Sequence, residues 1–297
     1  MLGPDDSAAK EIDAALSEWR QGDVARGERW FIHAGDPSAP LTQASGAVEP
    51  GDDAIQALTS EVEGLVVLTQ TCDVVRACTS RPYIEVAPLV RVAASDLSSI
   101  QRGRRPALAA LPSLIEQCLV VDLDRVMTVE KSIVAKWKRT PGYTLDADAR
   151  AFAEALARKR VRFAFPDDFN AFAKKLQGRL GDKHEKNTDE GRGLRALREI
   201  RVHAAPSWDA SNVELLFWFI REDADTDFEG TGWADLLKSW LKLVPSSGRF
   251  AAVDGQVATL AEMTGADYVA SDRLDLDHSS SSVNSNAPQS TDTGMQP

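Results

Sequence analysis

Apolar residues recur along the chain in two rhythms, one close to the helical period and one close to strand alternation, and each predicts its own elements. Ile12, Ala15, Leu16 and Trp19 fall at helical spacing and predict a helix over residues 8–19, with Asp6 or Ser7 able to accept its free amide hydrogens. Gln21-Gly22-Asp23-Val24 breaks that pattern and leads into Trp30-Phe31-Ile32, a predicted strand. Residues 34–60 carry much Gly, Pro, Ser and Ala and few large apolar side chains, which predicts a long loop. The best strand is Leu65-Val66-Val67-Leu68-Thr69-Gln70-Thr71-Cys72, apolar on both faces at its start and polar on at least one at its end. Tyr83 to Val90, Cys118 to Leu123 and Val126 to Val129 read as further strands.

The middle of the chain reads as helical. Thr144 can cap a helix reaching about Lys159, with Phe152 and Leu156 one turn apart. Pro166-Asp167-Asp168 suits a helix opening, because proline lacks the donor that the first turn cannot use and acids suit the dipole. Phe169, Phe172, Leu176 and Leu180 then form one stripe that Gly181 is expected to end, and the polar run 181–193 reads as a flexible junction. Glu199 to Ala204 and Val213 to Ile220 read as strands. Trp233 to Leu243 reads as a helix burying Leu236, Leu237, Trp240 and Leu241. Arg249 to Leu260 reads as a hairpin turning at Asp254-Gly255. Beyond Asp277 almost no large apolar residue remains, so a disordered tail is expected. The expectation is an α+β protein with a β-rich, barrel-like part at 1–135, a helical basic segment at 136–193, a small α+β unit at 194–277 and a tail at 278–297.

With 43% hydrophobic residues in 297, the chain can build a real core, and its net charge of -11 argues against wholesale nonspecific binding to DNA or membranes. No stretch approaches the roughly 18–20 apolar residues that cross a bilayer. The N-terminus lacks the basic and apolar regions of a signal peptide. Cys72, Cys78 and Cys118 have no zinc spacing and cannot all pair, which points to a reducing cytoplasm. The heavy use of alanine, arginine and aspartate points to a GC-rich bacterial genome. There is no Gly-rich phosphate loop, no G-x-S-x-G elbow and no H-E-x-x-H, so neither a cofactor nor a metal is expected. The acidic run Ser271 to His278 would place Asp275 and Asp277 on one face, but it reads better as a charged strand edge than as a metal site.

Candidate chemistry gathers at Thr69-Gln70-Thr71-Cys72-Asp73, polar residues at the end of a buried strand. Strand geometry puts Thr69, Thr71 and Asp73 on one side and Gln70 and Cys72 on the other. Thr71, Cys72 and Asp73 are the candidate catalytic residues, with Asp73 the likelier functional member. A nucleophilic cysteine needs a base or a helix N-terminus to lower its pKa, and His33, His184 and His203 have no telling spacing to Cys72. The plainer reading makes Cys72 a small buried residue and Asp73 a turn cap. A second candidate is electrostatic. Residues 150–201 hold 14 Lys and Arg against 8 Asp and Glu. Arg158, Lys159, Arg160 and Arg162 cluster at a helix end, with Arg195 and Arg198 further on, so a phosphate-binding face is possible beside the plainer reading of intramolecular pairing.

Gln21-Gly22-Asp23-Val24, the Leu65 to Asp73 strand and Arg81-Pro82 with Val86-Ala87-Pro88-Leu89 resemble the small barrels of the MazF/PemK toxin type, which carry G-D-V, R-P and V-A-P-L pieces. That resemblance covers under a third of the chain and implies a barrel and an RNA-cleaving role at Arg81, although here R-P runs straight into V-A-P-L. Thr69-Gln70-Thr71-Cys72-Asp73, with Leu123-Asp124-Arg125-Val126 and Arg162-Phe163-Ala164-Phe165-Pro166, is similar to a bacterial group marked by Ser or Thr, Gln, any residue, Cys, Asp. The resemblance implies mobile-element and phage-defence neighbourhoods and supplies no mechanism. The expected function is a nucleic-acid-associated or partner-binding component of such a system. The alternative is a hydrolase or nuclease centred on Thr71, Cys72 and Asp73.

Residues 279–297 have no apolar material with which to offset their ordering entropy. Their removal should leave the melting temperature within about two degrees of the full chain, checked by calorimetry.

Overall fold

The computed structural model describes residues 6–51, 55–103, 105–161 and 163–274. Its architecture is α+β, in two compact units, Met1–Val161 and Arg162–Pro297. The helices expected to form one middle segment are thus shared out. Phe152 of α6 (Asp146–Arg160) is buried in the core of the first unit, and Phe169 of α7 (Asp167–His184) in the core of the second. The segment 278–297 lies outside the described residues, as do Asp275, Asp277 and His278.

In the first unit, α1 (Asp6–Leu16) precedes β1 (Val24–Ala25), the ribbon β2 (Trp30–Gly35) and β3 (Gln56–Glu61), and β4 (Leu65–Val67). The stretch expected as a loop therefore contains β3 and the single-turn helix α2 (Gln43–Gly46), which Thr42 caps by accepting from the Ser45 amide. After the turn α3 (Thr71–Val74) come β5 (Tyr83–Arg91), α4 (Ala94–Gln101), β6 (Leu108–Ala109), a 3-10 turn at Pro112–Gln117, β7 (Leu119–Asp122), β8 (Met127–Glu130) and α5 (Lys131–Val134).

The main sheet runs β1-β4-β5-β7-β6, with β8 also on β5, and it is open rather than a closed barrel. The reason lies in the pairing of β5. Val86 pairs with Val67 of β4 and with Met127 of β8, and β7 continues along that second edge at Leu89 to Arg91. One long strand serves three neighbours, and β6 and β1 are two-residue ends with no partner for each other. Both faces are covered. Leu65, Val67, Ile84 and Val86 pack with Leu16, Trp19 and Phe31, while Val66, Leu68, Ala87 and Leu89 pack with Leu111, Leu119 and Phe152. Burial on both faces explains the unbroken Leu65-Val66-Val67-Leu68 run.

The second unit is a four-stranded sheet, β11-β10-β9-β12, backed by helices. β9 (Leu197–Ala205) and β10 (Val213–Arg221) form where the pattern predicts strands, and they pair antiparallel. After α9 (Trp233–Leu241) comes β11 (Phe250–Thr259), then α10 (Gly265–Val269) and the short β12 (Asp272–Arg273). The expected hairpin at Asp254-Gly255 does not form. β11 is one continuous strand, parallel to β10 from Phe250 to Thr259, and α9 supplies the crossover that parallel pairing requires. Gly255 serves helix packing instead of a turn. A Cβ there would lie 3.0 Å from Leu241 Cδ2 and 3.1 Å from the Phe217 carbonyl oxygen.

The polar run 181–193, expected as a junction, is helical at 181–184 and 189–193 and densely bonded. α7 passes through Gly181 to His184, because Leu180 and His184 are buried and offset the roughly 1 kcal/mol cost of a helical glycine. α8 (Asp189–Ala196) opens with Thr188 accepting from the Gly191 amide. Asp189 accepts the amides of Glu229, Gly230 and Thr231 at 2.8–2.9 Å and also pairs with Arg192. Glu190 takes Arg179 in a two-point contact and the Trp240 indole at 3.1 Å. Polarity here satisfies backbone and indole donors between α7, α8 and the loop before α9.

The Arg192 hydrogen bond, followed by the three amides, holds the Asp189 carboxyl far below the usual carboxylate range. A depressed folded pKa adds stability above the unfolded value of about 3.9, and that stability is lost as pH falls below it. Asp189→Asn should therefore lower the denaturation midpoint at pH 7 and flatten its decline between pH 5 and 2, measured by urea unfolding.

Candidate functional site

β4 stops at Val67, and the chain turns at Gln70 into α3, where the amides of Asp73 and Val74 both donate to the Gln70 carbonyl at 2.9 and 3.0 Å. Thr71, Cys72 and Asp73 therefore fan around one helical turn, and the expected strand sorting of their side chains does not apply. The turn is laced to the loop after α1. Thr71 Oγ1 accepts the Gln21 amide at 3.1 Å, and Gln21 Nε2 donates to the Leu68 carbonyl at 2.7 Å. Gly22 donates to Val67, and Val67 donates back to Asp23. Tyr143 holds the same loop by donating to the Gln21 carbonyl at 2.5 Å. Gly22 sits at φ +87°, where a Cβ would also lie 2.5 Å from Tyr143 Cε1. Asp23, 3% exposed, accepts from the Arg20 amide at 2.7 Å and from Arg139 Nε at 2.6 Å.

The far end of the turn is held by Lys131, the first residue of α5. Its side chain is 1% exposed, and Nζ donates to the carbonyls of Asp73 and Arg76 at 2.9 and 2.5 Å. Burial pushes its pKa below the usual lysine value, against the attraction of Asp13, Cys78 and Asp73. Asp13 in turn accepts the Cys78 amide at 2.8 Å. The buried cysteine is Cys78, whose thiol burial pushes up in pKa, and not Cys72.

The outward side of the turn is lightly engaged. Cys72 is exposed, with the Gln70 amide oxygen at 3.8 Å as its hydrogen-bond partner. The Asp73 carboxylate lies 3.5 Å from Arg76 and caps no helix, so the plainer reading of both residues is corrected. His33 stacks on Phe31, and neither ring nitrogen finds a partner. His203 belongs to the other unit, on β9. Among the described residues no imidazole hydrogen-bonds Cys72.

The basic residues divide between the units. Lys159 pairs with Asp124, and Arg160 with Glu85 at 2.9 Å, while the Arg158 guanidinium packs over Gly103. Arg162 lies outside the described residues. In the second unit Arg195 spends Nη1 on the carbonyls of His184 and Lys186, and Arg198 is exposed. Arg81 is exposed too. Among the described residues no group of three or more His, Cys, Asp or Glu stands together as a metal site, and no helix is long and apolar enough to cross a membrane. Comparison of the chain with protein-family models, curated proteins and solved structures finds no match.

The sequence pattern missed Lys131, which reaches the turn, and Arg139 and Tyr143, which reach the loop that laces it, each from more than fifty residues away. The one signal pointing to the lacing was Gln21-Gly22-Asp23, a polar break between apolar elements.

Lys131→Met removes the donor to two carbonyls, at a cost of about 1–3 kcal/mol per unsatisfied buried group. Cys78 should then react with a thiol reagent at least about tenfold faster, while Cys72, already exposed, changes little. Because the Lys131 pKa is depressed on folding, wild-type stability should also rise as pH climbs from that folded value towards about 10.4. The Met variant should lose that slope.

Proposed function

We propose that this chain is a partner-binding component of a bacterial accessory system, and that the 69–76 turn of the first unit is its presenting surface. Rigid display supports the reading. Backbone atoms of the turn or its approach are tied to Gln21, Gly22 and Lys131, while Gln70, Cys72 and Val75 are left exposed. A preorganised backbone lowers the entropy lost on binding. The reading favours a protein over a nucleic acid, because Lys159 and Arg160 are already paired with Asp124 and Glu85, and Arg195 with carbonyls. Phosphate contact through them must first break those pairs. The hydrolase or nuclease alternative asks for a base beside Cys72, where the neighbour is an amide oxygen.

The mobile-element and phage-defence setting rests on the Thr-Gln-Thr-Cys-Asp resemblance and is part of the proposal.

Co-purification from the native host tests the reading, with wild type compared against Gln70→Ala and Val75→Asp. A protein recovered with wild type should fall at least about tenfold with each variant, while melting temperatures stay within about two degrees. Recovery that nuclease treatment abolishes would favour nucleic acid instead. A Cys72→Ser protein that folds normally but loses a substrate turnover seen in wild type would favour the enzyme.

A further inference from the structure

β11 is the longest strand in the described chain, ten residues from Phe250 to Thr259, and it lies at the end of its sheet. It pairs with β10 at every residue but Ala251, and no other described strand pairs with it, the one further bridge being that of Phe250 to Ser247. Proteins usually blunt such an edge with charge, proline or cover. Here the strand reads Phe-Ala-Ala-Val-Asp-Gly-Gln-Val-Ala-Thr, with Asp254 its one charge, and that carboxylate accepts the Gly255 amide at 2.8 Å.

Beside this edge runs a groove of about 420 Å³ along the flank of α9. Leu237 and Leu241 line it with Gly255 and Asp254, and Lys238 and Lys242 line it one helical turn apart. Both lysines are exposed, and neither makes an ion pair or a hydrogen bond among the described residues. Register sets which side chains would enter. Val253, Gly255 and Val257 pair with Leu215, Phe217 and Phe219, which face the helices. Alternate residues of a strand added to β11 would therefore hang over Leu237 and Leu241.

We infer that the β11 edge and the α9 groove form a second docking site, which takes an extended acidic peptide of a protein partner by strand addition. Main-chain hydrogen bonds to β11 supply affinity, an aliphatic side chain packs on Leu237 and Leu241, and carboxylates on the same face meet Lys238 and Lys242. Charge complementarity selects this occupant: two unengaged lysines outnumber the one lining carboxylate, Asp254, which already accepts the Gly255 amide, so the groove is locally cationic in a chain of net charge -11. The site lies in the second unit and uses none of the residues of the 69–76 turn.

Fluorescence anisotropy with the full chain tests this, using labelled Glu-Glu-Val-Thr-Leu-Thr-Glu-Glu. Controls are its Lys-for-Glu counterpart and the same acidic peptide N-methylated at alternate residues. The acidic peptide should bind saturably, and the two controls at least about tenfold more weakly. Lys238→Glu with Lys242→Glu should reverse the charge preference, whereas Gln70→Ala and Val75→Asp should change nothing. Equal binding of the N-methylated or the basic peptide, or no saturable binding, overturns the proposal. So does concentration-dependent dimerisation in sedimentation velocity that the double Lys variant abolishes, which would assign the edge to a second copy.

Discussion

The first unit depends on the exchange of backbone hydrogen bonds between the 20–23 loop and the end of β4. Gly22 donates to Val67 and Val67 donates to Asp23, so the loop after α1 prolongs the sheet where β4 runs out. Much near the turn follows from that exchange. Gln21 arrives in position to donate its amide to Thr71 and its side chain to Leu68, and Tyr143 and Arg139 close over the loop from the far end of the unit. Asp23 can be almost fully buried because two donors meet its carboxylate, as a buried charge requires. Beyond β4, Leu68 and Thr69 bond to Glu85 and Lys131 holds the far end of the turn, so the exchange is the first of three ties that fix its geometry.

Polar residues play the same part in both units. Lys131, Asp189, Glu190 and Arg249 each satisfy backbone or ring donors and acceptors on elements distant in sequence, and Asp23 takes the distant Arg139 guanidinium. Arg249 joins Asp168 at the start of α7 to the carbonyls of Trp208 and Ala210. Such groups carry specificity as well as stability, since a misplaced neighbour leaves a buried polar atom unpaired. That economy also explains why the basic stretch offers less free charge than its composition suggests. Lys159, Arg160 and Arg195 are spent inside their own units.

The two proposed surfaces share one design. Each places a fixed backbone beside side chains that the fold leaves unused: Gln70, Cys72 and Val75 on the turn, and Lys238 and Lys242 beside the edge of β11. In the first the backbone is held by side chains, and in the second by a parallel ladder. Neither has the convergent acid, base and cleft that catalysis asks for.

Periodicity alone determined most of the elements. The helices at Asp6–Leu16, Asp146–Arg160, Asp167–His184 and Trp233–Leu241, and the strands at Leu65–Val67, Tyr83–Arg91, Leu197–Ala205 and Val213–Arg221, are all near their expected places. In each, a buried stripe or face enforces the pattern locally. Tertiary structure decided the rest, wherever a local signal met a stronger distant partner. Asp254-Gly255 has the chemistry of a tight turn, yet nine paired residues and the approach of α9 keep β11 straight. Gly181 and the polar run after it read as a break, yet Asp189 and Glu190 find donors up to fifty residues away and hold two helices there. Thr71, Cys72 and Asp73 read as the end of a strand, yet Gln21 and Lys131 bend them into a turn. Spacing records which face a residue shares with its neighbours in sequence, whereas long-range hydrogen bonds leave no period for it to record.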